Sequence, residues 1–347
     1  MTDLNEITVI RDEAHLEDLM TEPSPQLTKA LEAVPGDILI LGVGGKMGPT
    51  LARLAKRASE AAGAKRRIIG VARFSDPHQW EALEKAGVEP LVADLLKREE
   101  VESLTECPNV IFMAGMKFGT TGAQARTWAI NALAPGYVAE RFAQSRIAVF
   151  STGNVYPFTP VASGGPAEDC PPVPVGEYAQ SALARERIIE YFSQEQGTPV
   201  AILRLNYAID LRYGVLLDIA TQVWEGTPVD LSMGHVNVIW QGDANAWMLR
   251  SLAHCSSPPI VLNVTGPETL SVRMLAQEFG KLLGKTPVFA GAESDTALLS
   301  NAAKAGALFG PPRVSVETMV RWVADWVKKG GPTFGKPTHF EARDGSF

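Results

Sequence analysis

The chain has 347 residues, of which 46% are hydrophobic and 20% charged, so it can bury the core of one large or two ordinary globular domains and is not a disordered chain. Its net charge of -7 lacks the basic footprint that binding to a phosphate backbone requires, which argues against nucleic acid as a partner. No apolar run reaches the length of a bilayer span, residues 1–20 are acidic and polar rather than a basic and then apolar leader, and Cys107, Cys170 and Cys255 have neither metal-ligand spacing nor a pairing pattern. These features lead to the expectation of a cytoplasmic protein with reduced thiols, no membrane contact and no bound metal.

In chain order, residues 1–34 form an N-terminal extension that ends near Val34-Pro35-Gly36. The most informative stretch follows: the apolar run 38–41 breaks into Gly42, Gly44, Gly45 and Gly48 with Lys46 and Met47 between them, and an amphipathic pattern of Met47, Leu51, Leu54, Ala58 and Ala61 comes next. That order predicts a strand, a tight turn and a helix N-terminus. Glycines let the backbone lie against a ligand, and the first-turn N–H groups and dipole of a helix attract a pyrophosphate, so a dinucleotide is the expected ligand. A triphosphate loop is disfavoured, because Met47 stands where Ser or Thr would hold magnesium.

Further apolar runs at 68–72, 90–93, 110–114, 147–150 and 200–203 alternate with helical patterns. This rhythm predicts an α/β fold of the Rossmann type: a doubly wound parallel sheet covered by helices on both faces, with ligands at the C-terminal ends of the strands. Residues 157–174, rich in Pro, Gly and Ser, read as one long loop. Beyond 209 the pattern becomes irregular, with helices predicted at 272–283 and 316–327. The expected organisation is a dinucleotide-binding domain of residues 35–208 plus about 236–264, a smaller C-terminal substrate lobe of 209–235 plus 265–329, and an extended tail, 330–347.

Several landmarks now stand in register. They are Gly42-x-x-Gly45-x-x-Gly48, Asp94-Leu95, Ala114-Gly115-Met116-Lys117, Asn131, Ser151-Thr152 with Val155-Tyr156, Tyr178, Leu203-Arg204 with Asn206, and Asn263-Val264. Over roughly residues 36–328 the chain resembles the extended short-chain dehydrogenase/reductase superfamily of NAD(P)-dependent epimerases and dehydratases. The resemblance implies a cofactor site made by the glycine turn with Lys46 and Met47, by Asp94 and Leu95 near the adenine, and by Ala114, Gly115, Lys117 and Tyr178. It implies catalysis by Tyr178 as acid/base with Thr152 on the same substrate oxygen, with Asn154 and Asn206 as substrate contacts. It also implies a homodimer through the helices around Asn131 and Tyr178, which would bring Trp128, Ile130, Ile188 and Tyr191 near an interface.

Four departures shape the expected chemistry. The second strand ends in Ala72-Arg73, where NAD enzymes place an acid for the ribose hydroxyls; Arg73 suits a 2′-phosphate instead, which favours NADP(H) with NAD(H) as the alternative. Ala182 occupies the place of the family's lysine four residues after the tyrosine, so Lys117 is the candidate substitute cation. An unassisted tyrosine, with a pKa of about 10, donates a proton readily and accepts one poorly at neutral pH. Gly153 and Asn154 replace the acid pair of sugar-nucleotide dehydratases, and Val236 and Ala292 replace the arginines that grip a nucleotide diphosphate. The leading reading is therefore an NAD(P)-dependent oxidoreductase or epimerase-like enzyme for a carbohydrate-derived carbonyl or alcohol, with a free sugar, sugar acid or polyol as its small-molecule partner. The other reading is a dinucleotide-binding sensor or scaffold weakened by the loss of the lysine.

Overall fold

The structure is a computed structural model and describes residues 3–117 and 122–345. Seven parallel strands form its centre: β1 (Ile38–Leu41), β2 (Ile68–Ala72), β3 (Glu89–Val92), β4 (Asn109–Phe112), β5 (Arg146–Thr152), β6 (Val200–Leu205) and β7 (Ile260–Val264). Their order across the sheet is β7-β6-β5-β4-β1-β2-β3. The chain therefore reverses direction beside β1. Ile38 pairs with Ile68 on one side and with Asn109 on the other, which aligns the C-terminal ends of β1, β2 and β4 around a common crevice.

The strands are near-continuous aliphatic runs because both faces are covered. On one face Ile38, Ile40, Leu51, Leu54, Ile111 and Leu203 share a core. On the other, Leu39, Leu41, Val110, Phe112, Val149 and Ile202 do. The edge strand β3 is the exception, with Leu91 and Val92 open to solvent.

A separate apolar core lies in the C-terminal lobe, where the helices Val215–Glu225, Val272–Leu283 and Val316–Lys328 pack on one another around Val223, Phe279 and Trp322. Serine caps start the second and third of these, Ser271 accepting from the Met274 amide and Ser315 from the Thr318 amide.

Two segments read from sequence as appendages are built into the body. Residues 1–34 supply the helices Glu13–Met20 and Pro25–Glu32; Leu16 and Met20 join the lobe core, whereas Leu27 and Leu31 join the sheet core. The segment thus braces the two units against each other. The tail is not an extended end. It folds back on the helix Val215–Glu225, where the backbone amide and hydroxyl of Thr338 both donate to Asp218, at 2.8 and 2.6 Å, and Phe340 is buried in the lobe core. Residues 157–174 form the expected loop, tied to the lobe by a two-residue strand, Thr159–Pro160, that pairs antiparallel with Thr296–Ala297.

Candidate functional site

The glycine turn after β1 is organised by steric need. Gly42 has φ +95°, and a Cβ there would lie 2.5 Å from the Ala114 nitrogen, so the turn abuts the end of β4. At Gly48 a Cβ would fall 2.0 Å from the Val43 carbonyl oxygen, so only glycine lets the start of the helix approach the turn this closely. Gly45, between them, is exposed and leaves its backbone approachable. The helix Gly48–Ala61 begins with no side-chain cap; Gly48 N–H donates to the Gly45 carbonyl at 3.2 Å and Pro49 has no N–H, so the helix offers a ligand chiefly the positive end of its dipole.

Beside this turn lies a cleft of about 280 Å³ lined by Gly42, Gly44, Gly45, Arg73, Asp94, Leu95, Ala114 and Gly115, among others. The sheet topology has gathered residues from the ends of β1, β2, β3 and β4. The donor set and the missing Cβ atoms fit a dinucleotide. Arg73 is exposed on the rim of the cleft. Asp94 accepts from the Leu96 amide at 3.1 Å, which shapes the turn after β3.

Thr152 ends β5, and the helix Gly176–Gln196 brings Tyr178 to it; the two side chains are hydrogen-bonded. Thr152 Oγ1 also donates to Asn154 Oδ1 at 3.0 Å and accepts from the Asn154 amide at 3.2 Å, so Asn154 belongs to the same cluster. Burial pushes the Tyr178 phenol above its ordinary range, opposed by the Thr152 hydrogen bond and by the charge of Arg185. The phenol is thereby held as a proton donor at neutral pH. Asn206 is 2% exposed, packs against Gly153 beside this cluster, and reaches the Leu298 carbonyl at 3.5 Å across the seam with the lobe.

Asn131 sits in a π-helical turn, Ala129–Leu133, between the helices Gln124–Trp128 and Ala134–Arg141. Its side chain accepts from the Met116 amide at 2.9 Å and donates to the Met116 carbonyl and the Ser181 hydroxyl, both at 3.0 Å. The widened turn is what lets one amide hold the end of β4 and the tyrosine helix together. Ala182 leaves no vacated cavity, because it is buried in an apolar cluster with Val155 and Tyr156.

The two lysines expected near the cofactor meet the lobe side of the site. Lys46 Nζ lies 3.2 Å from the centre of the Tyr213 ring, and burial, followed by the charges of Lys336 and Lys117, lowers it to about 7. Lys117 Nζ donates to the Thr338 carbonyl at 3.4 Å, and burial lowers it to about 8 against the opposing pull of Asp218 and Glu341. The tail therefore adds Lys336, Thr338 and Glu341 to this corner. Sequence reasoning missed all three, since nothing in their spacing marks them; it also missed Arg185, which a helical wheel centred on Tyr178 would have found.

Among the described residues no group of His, Cys, Asp and Glu could hold a metal ion, and no helix is long and apolar enough to cross a membrane. Residues 38–209 match the model of the NAD dependent epimerase/dehydratase family. No curated protein matches the chain. Among solved structures, it is similar to UDP-glucuronic acid 4-epimerase from Bacillus cereus in complex with UDP-glucuronic acid and NAD, at 18% identity and TM-score 0.69 over 84% of this chain and 99% of that one. A UDP-glucose 4-epimerase from Thermotoga maritima, with UDP-glucose, gives 18% identity and TM-score 0.69 over 85% and 99%. Pal from Bacillus thuringiensis gives 16% identity and TM-score 0.70 over 84% and 99%.

Proposed function

Through residues 38–209 this chain belongs to the NAD dependent epimerase/dehydratase family, and on that premise we propose that it is an NAD(P)-dependent oxidoreductase or epimerase acting on the carbonyl or alcohol of a carbohydrate-derived substrate. The observation that carries this reading is the hydrogen-bonded pair Thr152 and Tyr178 at the end of β5, on the same rim of the sheet as the dinucleotide cleft. When bound in that cleft, the nicotinamide supplies or accepts a hydride. Thr152 and Tyr178 hold the substrate oxygen. In the reductive direction the Tyr178 proton passes to that oxygen as it gains negative charge, and the phenolate left behind is reprotonated from solvent.

NADP(H) is the favoured cofactor, because Arg73 lies exposed on the cleft rim with no hydrogen-bond or ion-pair partner among the described residues. NADPH should bind more tightly than NADH in a fluorescence titration, and Arg73→Ala should erase most of the difference. A charge-assisted pair with a 2′-phosphate supports an effect on the order of 1–3 kcal/mol. Equal affinities for the two cofactors in the unaltered protein would count against the assignment.

The substrates named for the similar structures are UDP-sugars, so these head the compounds to be screened. Val236 favours a free sugar, sugar acid or polyol over them, since it is buried in the lobe core and presents no guanidinium to a diphosphate. The sensor reading draws support from Ala182 and from the tail laid over Lys46 and Lys117; tight NADPH binding with no hydride transfer across the screen would favour it.

A homodimer is part of the proposal. Trp128 is 37% exposed, Leu133 48% and Tyr191 59%, all on the paired helices around Asn131 and Tyr178. The other two residues expected there are otherwise engaged, Ile130 lining the cleft and Ile188 packing on Gly136. Light scattering should give twice the chain mass at micromolar concentration; Tyr191→Glu should shift it toward the monomer. A monomeric unaltered protein would refute the assembly.

A further inference from the structure

Lysine is absent at 182, yet the tyrosine helix does carry a buried cation. Seven residues along a helix come within about 20° of two full turns, so Arg185 lies on the face that bears Tyr178. Its side chain is fixed from three sides: Nε donates to the Asn131 carbonyl at 3.2 Å, Nη1 to the Phe150 carbonyl at 2.7 Å and Nη2 to Asn131 Oδ1 at 3.0 Å. All three acceptors are neutral. The adjacent Glu186 is engaged by Ser151 and by Arg204, whose Nη2 donates to it at 2.7 Å.

Arg185 is 6% exposed, and a guanidinium does not shed its proton at any pH a folded protein meets. A buried charge whose hydrogen bonds all end on neutral oxygens is costly unless an anion forms beside it. Glu186, shared with Arg204, already acts on it from the next position, and a further anion can form at Tyr178. Nη2 lies 3.0 Å from where a Cβ on Gly115 would be, so the guanidinium sits directly under the wall of the cleft, and Tyr178 and Arg185 act on each other electrostatically.

We propose that Arg185 is a positioning residue that supplies the fixed positive charge of this site, stabilising the phenolate that Tyr178 becomes when it gives up its proton. This rests on reading Tyr178 as the proton donor of the proposed reaction. The π-helical turn at Asn131 is then the device that orients the guanidinium, because Asn131 provides two of its three acceptors. The other titratable groups nearby are Glu186 on the same helix and Tyr213 on the loop after β6, beyond which Lys46, Lys117, Asp218 and Glu341 gather.

The test reads Tyr178 itself. In protein labelled with ¹³C-tyrosine, the Tyr178 resonance is assigned by its loss in Tyr178→Phe and followed through a pH titration without substrate. Arg185→Met should move the ionisation of Tyr178 upward by about one pH unit or more, Arg185→Lys should restore most of it, and Tyr207 should not move. A folded Arg185→Met protein with an unchanged Tyr178 titration overturns the proposal. Should that variant not fold, the unaltered protein decides: Tyr178 must ionise at lower pH than Tyr207, which burial and Glu341 push up with no arginine among the groups acting on it. The reverse order overturns the proposal. Because no substrate enters the measurement, a shift in Tyr178 with no carbohydrate turned over would leave Arg185 assigned and refute the enzymatic reading alone.

Discussion

Replacement of Tyr178 by phenylalanine is expected to lower turnover about 10²–10⁴-fold, the range lost when a positioned proton donor is removed. The fold should survive, since the ring stays and only the hydroxyl that meets Thr152 is deleted. The sign of the pH dependence follows from the same burial. Tyr178 is held above the ordinary phenol range, so the donor form persists through neutral pH, and the reductive rate should stay flat there and fall only as the pH climbs toward the raised ionisation. The oxidative rate should rise over that same alkaline interval. Steady-state rates of the two directions, measured across pH with matched NADPH binding, would check both; a Tyr178→Phe protein with unimpaired turnover would remove the tyrosine from the mechanism.

The largest expected effect on stability lies one layer beneath the site. Arg204 donates to Glu186 through Nε at 3.0 and 3.2 Å and through Nη2 at 2.7 Å, and through Nη1 to the Tyr156 hydroxyl at 2.7 Å, which in turn donates to Asn263 Oδ1 at 2.8 Å. Both members of the ion pair are buried. Glu186→Gln keeps the shape but leaves Arg204 with an uncompensated charge, a change that costs on the order of 3–5 kcal/mol in such pairs. Urea unfolding should register that loss. The double variant Glu186→Gln/Arg204→Met should recover part of it, because the orphaned charge is gone. A loss under about 1 kcal/mol, the level of a surface ion pair, would show that the pair is not desolvated in solution.

Much of the sheet was legible because its signals are local. The run 68–72 reads as a strand and is one, and the helix predicted at 272–283 has those bounds in the structure; both are short aliphatic or amphipathic patterns bounded by clear breaks. The glycine turn was legible as a local pattern of apolar run, glycines and amphipathic helix, and Gly48 answers a demand from Val43 five residues away, whereas the close approach at Gly42 is to Ala114, far along the chain. What escaped the sequence is long-range. Thr338 reaches Asp218 across 120 positions, and no periodicity in residues 330–345 announces it. The resemblance and the loss of lysine at 182 make Lys117 the candidate cation for Tyr178, but a sequence does not fix the direction of a flexible side chain, and it gives no sign that this ammonium also meets the tail at Thr338. Arg185 was available to pattern reasoning. It stands seven residues after the tyrosine and shares its helix face, whereas the fourth position, Ala182, sits in an apolar cluster.

Isotope transfer tests the reaction most directly. With NADPH carrying deuterium at the transferable C4 position and a panel of keto sugars, keto sugar acids and the keto forms of UDP-sugars, each offering a carbonyl to reduce, mass spectrometry of the recovered carbohydrate reports whether hydride has moved in this cleft. Deuterium should appear in a carbohydrate with the unaltered protein and fall about 10²–10⁴-fold with Tyr178→Phe. Tight binding of the labelled cofactor with no deuterium in any carbohydrate, or transfer that Tyr178→Phe leaves untouched, would contradict it.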